Sequence, residues 1–292
     1  MEGPRQSRPE PAARTGDHGR APGEVEIHGD ERILGDLWDA SMRAACGVGD
    51  RGRLVSPLPR VLLIDLDDTI VRYSAGEEGL WAEVAERFAD RLPVLPERLL
   101  AAVDAVREPF WADPERSRLA RQDMFAARRA ILAQAFGRLG LSQESELVRE
   151  VADAYSSEKE ARVAPFPGAL ETLAELRRRG HALGLLTNGG ARLQRAKLER
   201  YGLARFFAAV RIEGEVGVGK PSPAAFAGAL AALDAGGEQA LMIGDDLDAD
   251  IAGAHAAGLT TVWIDHRGAG PPPGTPSPHR VVRALAELLA WD

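Results

Sequence analysis

The 292-residue chain has a single cysteine, Cys46, so it can form neither an internal disulfide nor a thiolate metal cluster. It has no stretch near the ~20 apolar residues needed to cross a bilayer, and its first residues, MEGPRQSRPEP, lack the apolar core of a secretory signal. A long basic run is missing too. With a formal net charge of −8 the chain offers no extended footprint for a phosphate backbone, which argues against a nucleic acid polymer as partner. These absences predict a cytoplasmic protein with no membrane attachment that works on small molecules. What is present is ordinary for a globular protein: 45% apolar residues, enough for a substantial core.

Residues 1–24 are rich in Pro, Gly and Arg and are expected to be disordered, because they cannot bury enough apolar surface to offset the entropy of ordering. Residues 25–59 are expected to form an N-terminal helix and a linker. Ile33, Leu34, Leu37, Trp38 and Met42 recur at helical spacing and suggest a packing face, and Gly47 to Pro59 is rich in chain breakers.

From Arg60 the pattern changes to short continuous apolar runs, as in parallel strands buried on both faces: VLLIDL (61–66), ALGLLT (182–187), AAVRI (208–212), ALMIG (240–244) and TTVWI (260–264). Helical stretches at 168–179 and 191–201 separate the later runs and end at glycines. Alternating strand and helix predicts an α/β fold, a doubly wound, parallel, five-stranded Rossmann-like core. One gap breaks the rhythm. Residues 74–163 carry helical patterns at 80–91, 97–108, 116–137 and 143–156 and no convincing strand, and are expected to form an inserted all-helical cap domain on a core made of 60–73 and 164–292. Arg116, Arg118, Arg121, Arg128 and Arg129 within it read mostly as a solvated helix face, with a site for an acidic substrate tail as the alternative.

Ligands of open α/β sheets bind beyond the carboxyl ends of the strands. There the sequence places Asp65-Leu66-Asp67-Asp68-Thr69, then Thr187-Asn188-Gly189-Gly190, then a glycine loop ending in Gly219-Lys220-Pro221, then Gly244-Asp245-Asp246 with Asp250 beyond. Each could be a capping turn or a solvated loop taken singly. Their joint placement at successive strand ends points to catalysis. Asp65, Asp67, Asp245 and Asp250 around a dianionic phosphate would repel by ~1–4 kcal/mol per charge pair at 4 Å. A counter-ion is therefore implied, and an all-oxygen set favours Mg²⁺.

The four segments DLDDT (65–69), LTNG (186–189), EVGVGKPSP (215–223) and GDDLDADIAGA (244–254) resemble, in order, the motifs of the haloacid dehalogenase-like superfamily, in its phosphatase branch with a helical cap after the first motif. The resemblance covers about residues 60–292. It implies that Asp65 is the nucleophile and a metal ligand. Asp67 would be the general acid and base, with its carbonyl on the metal; Thr187 and the amide of Asn188 would bind the phosphoryl oxygens. Lys220 would neutralise nucleophile and substrate, Asp245 would bind Mg²⁺, and Asp250 would support the metal or position Lys220. Motif four commonly has Ser where Asp246 stands, which predicts an altered surround for the metal.

The implied reaction is hydrolysis of a small phosphorylated metabolite (a nucleotide, a sugar phosphate or a phosphoglycolate-like ester) through an aspartyl-phosphate, by a monomer or homodimer. A phosphomutase or dehalogenase of the same superfamily is the nearer alternative. A phospho-accepting signalling module is the alternative of another class, but there the Lys would come last. A nucleotide-binding loop over Gly214–Lys220 is disfavoured because Pro221 replaces the required hydroxyl residue.

Overall fold

The computed structural model describes residues 58–77 and 79–291, so the expectations for 1–24 and for the helix and linker of 25–59 lie outside the described residues, Leu58 and Pro59 excepted. Six parallel strands form the main sheet: β1 (Val61–Ile64), β4 (Ala182–Thr187), β5 (Ala209–Ile212), β6 (Ala240–Gly244), β7 (Thr260–Ile264) and β8 (Arg280–Val282), in the spatial order β5-β4-β1-β6-β7-β8. The apolar runs of the sequence predict five of them. The sixth, Arg280–Val282, is a three-residue edge strand with one buried side chain, so it has no apolar run to announce it.

Strand β1 lies at the centre because both its faces are apolar. Leu62 and Ile64 pack with Leu173 and Leu176 of the helix Ala169–Arg178 and with Leu198 of the helix Ala191–Arg200. Val61 and Leu63 point the other way, onto Phe226 and Leu230 of the helix Pro223–Ala231. Helices thus cover both faces, and the chain winds outward from β1 in one direction through β4 and β5, then in the other through β6, β7 and β8. The reversal at β1 makes its carboxyl end the switch point of the sheet.

A two-stranded antiparallel ribbon, β2 (Val71–Arg72) with β3 (Ala164–Pro165), joins the points where the chain leaves and re-enters this layer. Between them run α1 (Leu80–Arg87), α2 (Pro96–Ala112), α3 (Pro114–Gln122), α4 (Met124–Arg138) and α5 (Glu146–Arg162), around an apolar cluster of their own that includes Leu99, Val103, Ile131, Leu132, Phe136 and Val151. The expected single helix 116–137 is two helices. Asp123 ends α3 and its carboxylate accepts from Ala126 N (3.1 Å), starting α4. Asp113 starts α3 in the same way through Arg116 N (2.8 Å), and an interior Asp gives no sequence sign of which role it takes. The other helices differ only at their ends: 97–108 extends to Ala112, 143–156 to Arg162, and 80–91 stops at Arg87 before a separate 3₁₀ turn. Among the described residues no helix is long and apolar enough to cross a membrane.

Candidate active site

The register of the sheet decides which side chains meet. Ile64 is level with Ile243 and with Leu185, and Asp65 N donates to Ile243 O (3.0 Å), so Asp65 emerges beside Gly244-Asp245 on one flank and Thr187 on the other. After Asp65 the chain turns back sharply: Ile70 N and Val71 N both donate to Leu66 O (2.9 and 3.0 Å), and Asp68 takes a left-handed φ of 53°. The Asp68 carboxylate accepts from Tyr73 N (2.9 Å) and Ser74 N (2.8 Å), so its work is to hold the turn.

Lys220 reaches in from the loop after β5 and the short helix Glu213–Val216, with Nζ 2.5 Å from Asp65 Oδ1 and 2.6 Å from Asp250 Oδ1. The loop is held by a reciprocal pair: Asn188 Nδ2 donates to Lys220 O (2.7 Å), and Lys220 N donates to Asn188 Oδ1 (2.8 Å). Asp250 is fully buried in the π-helical turn Leu247–Ala252, and its Oδ2 accepts from Asp246 N (3.1 Å). Glycine is required at 244, since a Cβ there would stand 2.0 Å from Asp250 Oδ2. Asp246, at the position where Ser was the resemblance's norm, turns its carboxylate to the amides of Asp248 (2.9 Å) and Ala249 (2.8 Å) and caps that turn instead of entering the cluster.

Asp65, Asp245 and Asp250 each bring one carboxylate oxygen to within 4.8 Å of the others. Burial, with the neighbouring acids, pushes Asp245 up to about 9. Burial likewise raises Asp65 to about 7, against the pull of Lys220, and raises Asp250. Burial disfavours the charge on Lys220, but Asp250 and Asp65 outweigh it and hold the ammonium above its ordinary value. One ammonium among three buried or half-buried acids leaves the cluster short of positive charge. An all-carboxylate donor set with that deficit fits a hard divalent cation such as Mg²⁺.

The Asp67 carboxylate stands apart from these three. Lys197 Nζ is 2.7 Å from its Oδ1 and 2.8 Å from its Oδ2, and Gln194 Nε2 is 3.0 Å from Oδ2. The same Gln194 nitrogen lies 2.8 Å from Thr187 Oγ1 and 2.7 Å from Asn188 O, so one side chain links motifs one and two. Buried Glu213 accepts from Gly189 N (3.0 Å) and steadies the following turn. Gln194, Lys197 and Glu213 were not among the sequence candidates. Gln194 and Lys197 sit three residues apart in ARLQRAKLER, a helix so rich in polar residues that nothing in its pattern distinguishes the buried pair from the solvated face.

The helical layer touches this site through its third helix. Gly190 N donates to Arg121 O (2.9 Å), and a Cβ on Gly190 would lie 2.1 Å from Gln122 O. Of the five arginines singled out in the sequence, Arg116, Arg118 and Arg129 are exposed, whereas Arg121 and Arg128 face a cavity beside Tyr73.

Residues 59–258 match the family of haloacid dehalogenase-like hydrolases. A phosphoserine phosphatase of Thermus thermophilus is 38% identical over 248 residues, 79% of this chain and 98% of that protein. A glyceraldehyde 3-phosphate phosphatase of Methanopyrus kandleri is 42% identical over 127 residues, 44% of this chain and 54% of the relative. Among solved structures, a magnesium-bound HAD-hydrolase from Bacillus subtilis superposes with a TM-score of 0.61 at 24% identity, covering 80% of this chain and 98% of that one. A 2-haloacid dehalogenase from Pseudomonas syringae superposes at 0.55 with 27% identity over 80% of this chain and 99% of that one.

Proposed function

The chain belongs to the haloacid dehalogenase-like hydrolases, and from that premise we propose that it is a Mg²⁺-dependent phosphatase that hydrolyses small phosphate monoesters through an aspartyl-phosphate on Asp65. The observation that carries this reading is the convergence of Asp65, Asp245 and Asp250 on one another, with Lys220 paired to Asp65 and Asp250 and with Asp67 held separately nearby.

In this reading an oxygen of Asp65 attacks phosphorus, and the bond from phosphorus to the leaving oxygen breaks. Asp67 gives the leaving oxygen its proton, then takes one from the water that releases phosphate from Asp65. Lys197 and Gln194 keep the Asp67 carboxylate oriented for both tasks. Thr187 and the amide of Asn188 bind phosphoryl oxygens, and Lys220 offsets the charge that gathers on Asp65 and the phosphoryl group. Asp65, Asp245 and Asp250, with the carbonyl of Asp67, would hold Mg²⁺, which supplies further positive charge against the phosphoryl oxygens. Residues 74–163 serve as the cap that excludes water and selects the leaving group, on a core of residues 60–73 and 164–292.

A dehalogenase would leave the Asp67–Lys197 pair without a task, because a departing halide needs no proton. The named relatives act on esters as different as phosphoserine and glyceraldehyde 3-phosphate, so they support the class of bond and leave its leaving group open. The test is phosphate release from a panel of phosphorylated metabolites with Mg²⁺ and with chelator, beside Asp65→Asn. The variant is expected to stay folded and lose nearly all turnover; undiminished release would reject Asp65 as the nucleophile.

A further inference from the structure

Resting on the phosphatase reading above, we propose that the leaving group of the substrate carries a carboxylate of its own, received by Arg107 and Arg121 in the cavity of the helical layer. The cavity holds about 340 Å³ and is walled by Tyr73, Trp81, Trp111, Arg107, Arg121 and Arg128 among others. Tyr73 ties it to Asp67. Arg128 Nη2 donates to Tyr73 Oη (2.9 Å), and the ring of Tyr73 lies 4.1 Å from Lys197 Nζ, the group that holds Asp67. A second tie is the Arg121 carbonyl, which accepts from Gly190 N beside motif two. A substrate with its phosphoryl group at Asp65 and its leaving oxygen toward Asp67 therefore extends toward this cavity.

The charges in the cavity are unbalanced in one direction. On the outside of the helical layer Arg87, Arg91, Arg129 and Arg162 each face a carboxylate: Glu158, Glu150, Asp153 and Glu83. Inside, Arg121 has only the hydroxyl of Ser117 on Nη1 (2.8 Å), and its Nε is buried with no hydrogen-bond partner among the described residues. Arg107 has no carboxylate within ion-pair distance among the described residues. Arg128 is engaged by Tyr73 and, at 3.4 Å, by Glu160. The one acid in the wall, Glu77, is 3.7 Å from the buried Nζ of Lys159 and so is already met by a positive charge. Two guanidiniums are left for a ligand, in a chain whose formal net charge is −8.

A buried guanidinium nitrogen without a partner is costly, and Arg121 Nε is one; paired N–H donors of a guanidinium match the two oxygens of a planar carboxylate. The aromatic walls suit a fragment of a few carbons between the two anionic ends. A neutral leaving group would leave both guanidiniums unanswered.

The experiment compares kcat/KM for O-phosphoserine with O-phosphoethanolamine, and for 3-phosphoglycerate with glycerol 3-phosphate, in wild type, Arg121→Gln and Arg107→Gln, with Mg²⁺ present. The carboxylated ester of each pair is expected to be favoured at least ten-fold in wild type, and this ratio is expected to fall at least five-fold in each variant. A wild-type ratio near one, or a ratio unchanged in both variants, would overturn the assignment; should a variant not fold, the wild-type ratio decides alone. No phosphate from any of these esters or from p-nitrophenyl phosphate would overturn the phosphatase reading itself, and the cavity assignment with it.

Discussion

Asp245 is the acid of the cluster with no cation in contact, and replacing it by Asn should make the metal-free protein more stable while abolishing its response to Mg²⁺. Its hydrogen-bond partner among the described residues is Thr69 Oγ1 at 3.4 Å, a long and weak contact. Oxygens of Asp65 and Asp250 lie within 4.8 Å of one of its own. At such a separation each like-charge pair costs ~1–3.5 kcal/mol between bulk-water and near-surface dielectric values. Lys220 offsets part of this for Asp65 and Asp250, leaving a net relief of roughly 1–3 kcal/mol for Asp245→Asn. For a domain of this size that corresponds to about 2–12 °C in Tm. The sign with pH follows from the raised value. A carboxyl that titrates near 3.8 unfolded and about 9 folded binds its proton more tightly in the folded state. Its contribution is full below pH 3.8 and is lost as pH rises toward 9, so the advantage of Asp245→Asn over wild type should widen from pH 5 to pH 9 in chelator. Mg²⁺ at about a hundred times its Kd should add ~2.7 kcal/mol to wild type and little to the variant. Thermal unfolding at three pH values, with chelator and with Mg²⁺, reads all of this. A variant less stable than wild type in chelator at pH 8, or one that keeps the full Mg²⁺ shift, would refute the charge-deficit account.

Two further outcomes test the parts around that cluster. Lys197→Met should lower kcat by ~10²–10⁴ with a smaller change in KM, since it releases the carboxylate to which the proposed mechanism gives the proton transfer, and the pH–rate profile should shift; a profile identical to wild type would mean that Lys197 merely packs. Gly190→Ala places a carbon 2.1 Å from Gln122 O, so the helical layer must shift where it meets motif two; a drop in Tm of a few degrees together with lower kcat/KM is expected, and a wild-type Tm with wild-type turnover would show that this contact is slack.

Much of the core was legible because its signals are local. The runs of β1, β4 and β6 are apolar on both faces and alternate with helices, the pattern of a covered parallel sheet, and the polar residues after them must then fall at one edge. That rule places Asp65, Thr187, Lys220 and Asp245 together at one edge of the sheet. What the sequence could not carry is whatever depends on which faces meet. The edge strand Arg280–Val282 is too short for a run, and Asp113 and Asp123 became helix caps only because the chain turns there. Lys197 and Gln194 are two polar residues in a polar helix until packing against β1 turns them onto Asp67. Likewise Arg121 and Arg129 are equivalent letters in one arginine-rich stretch. Tertiary structure separates them, pairing Arg129 with Asp153 outside and leaving Arg121 beside an aromatic cavity, because burial and distance to a counter-charge are properties of the assembled layers.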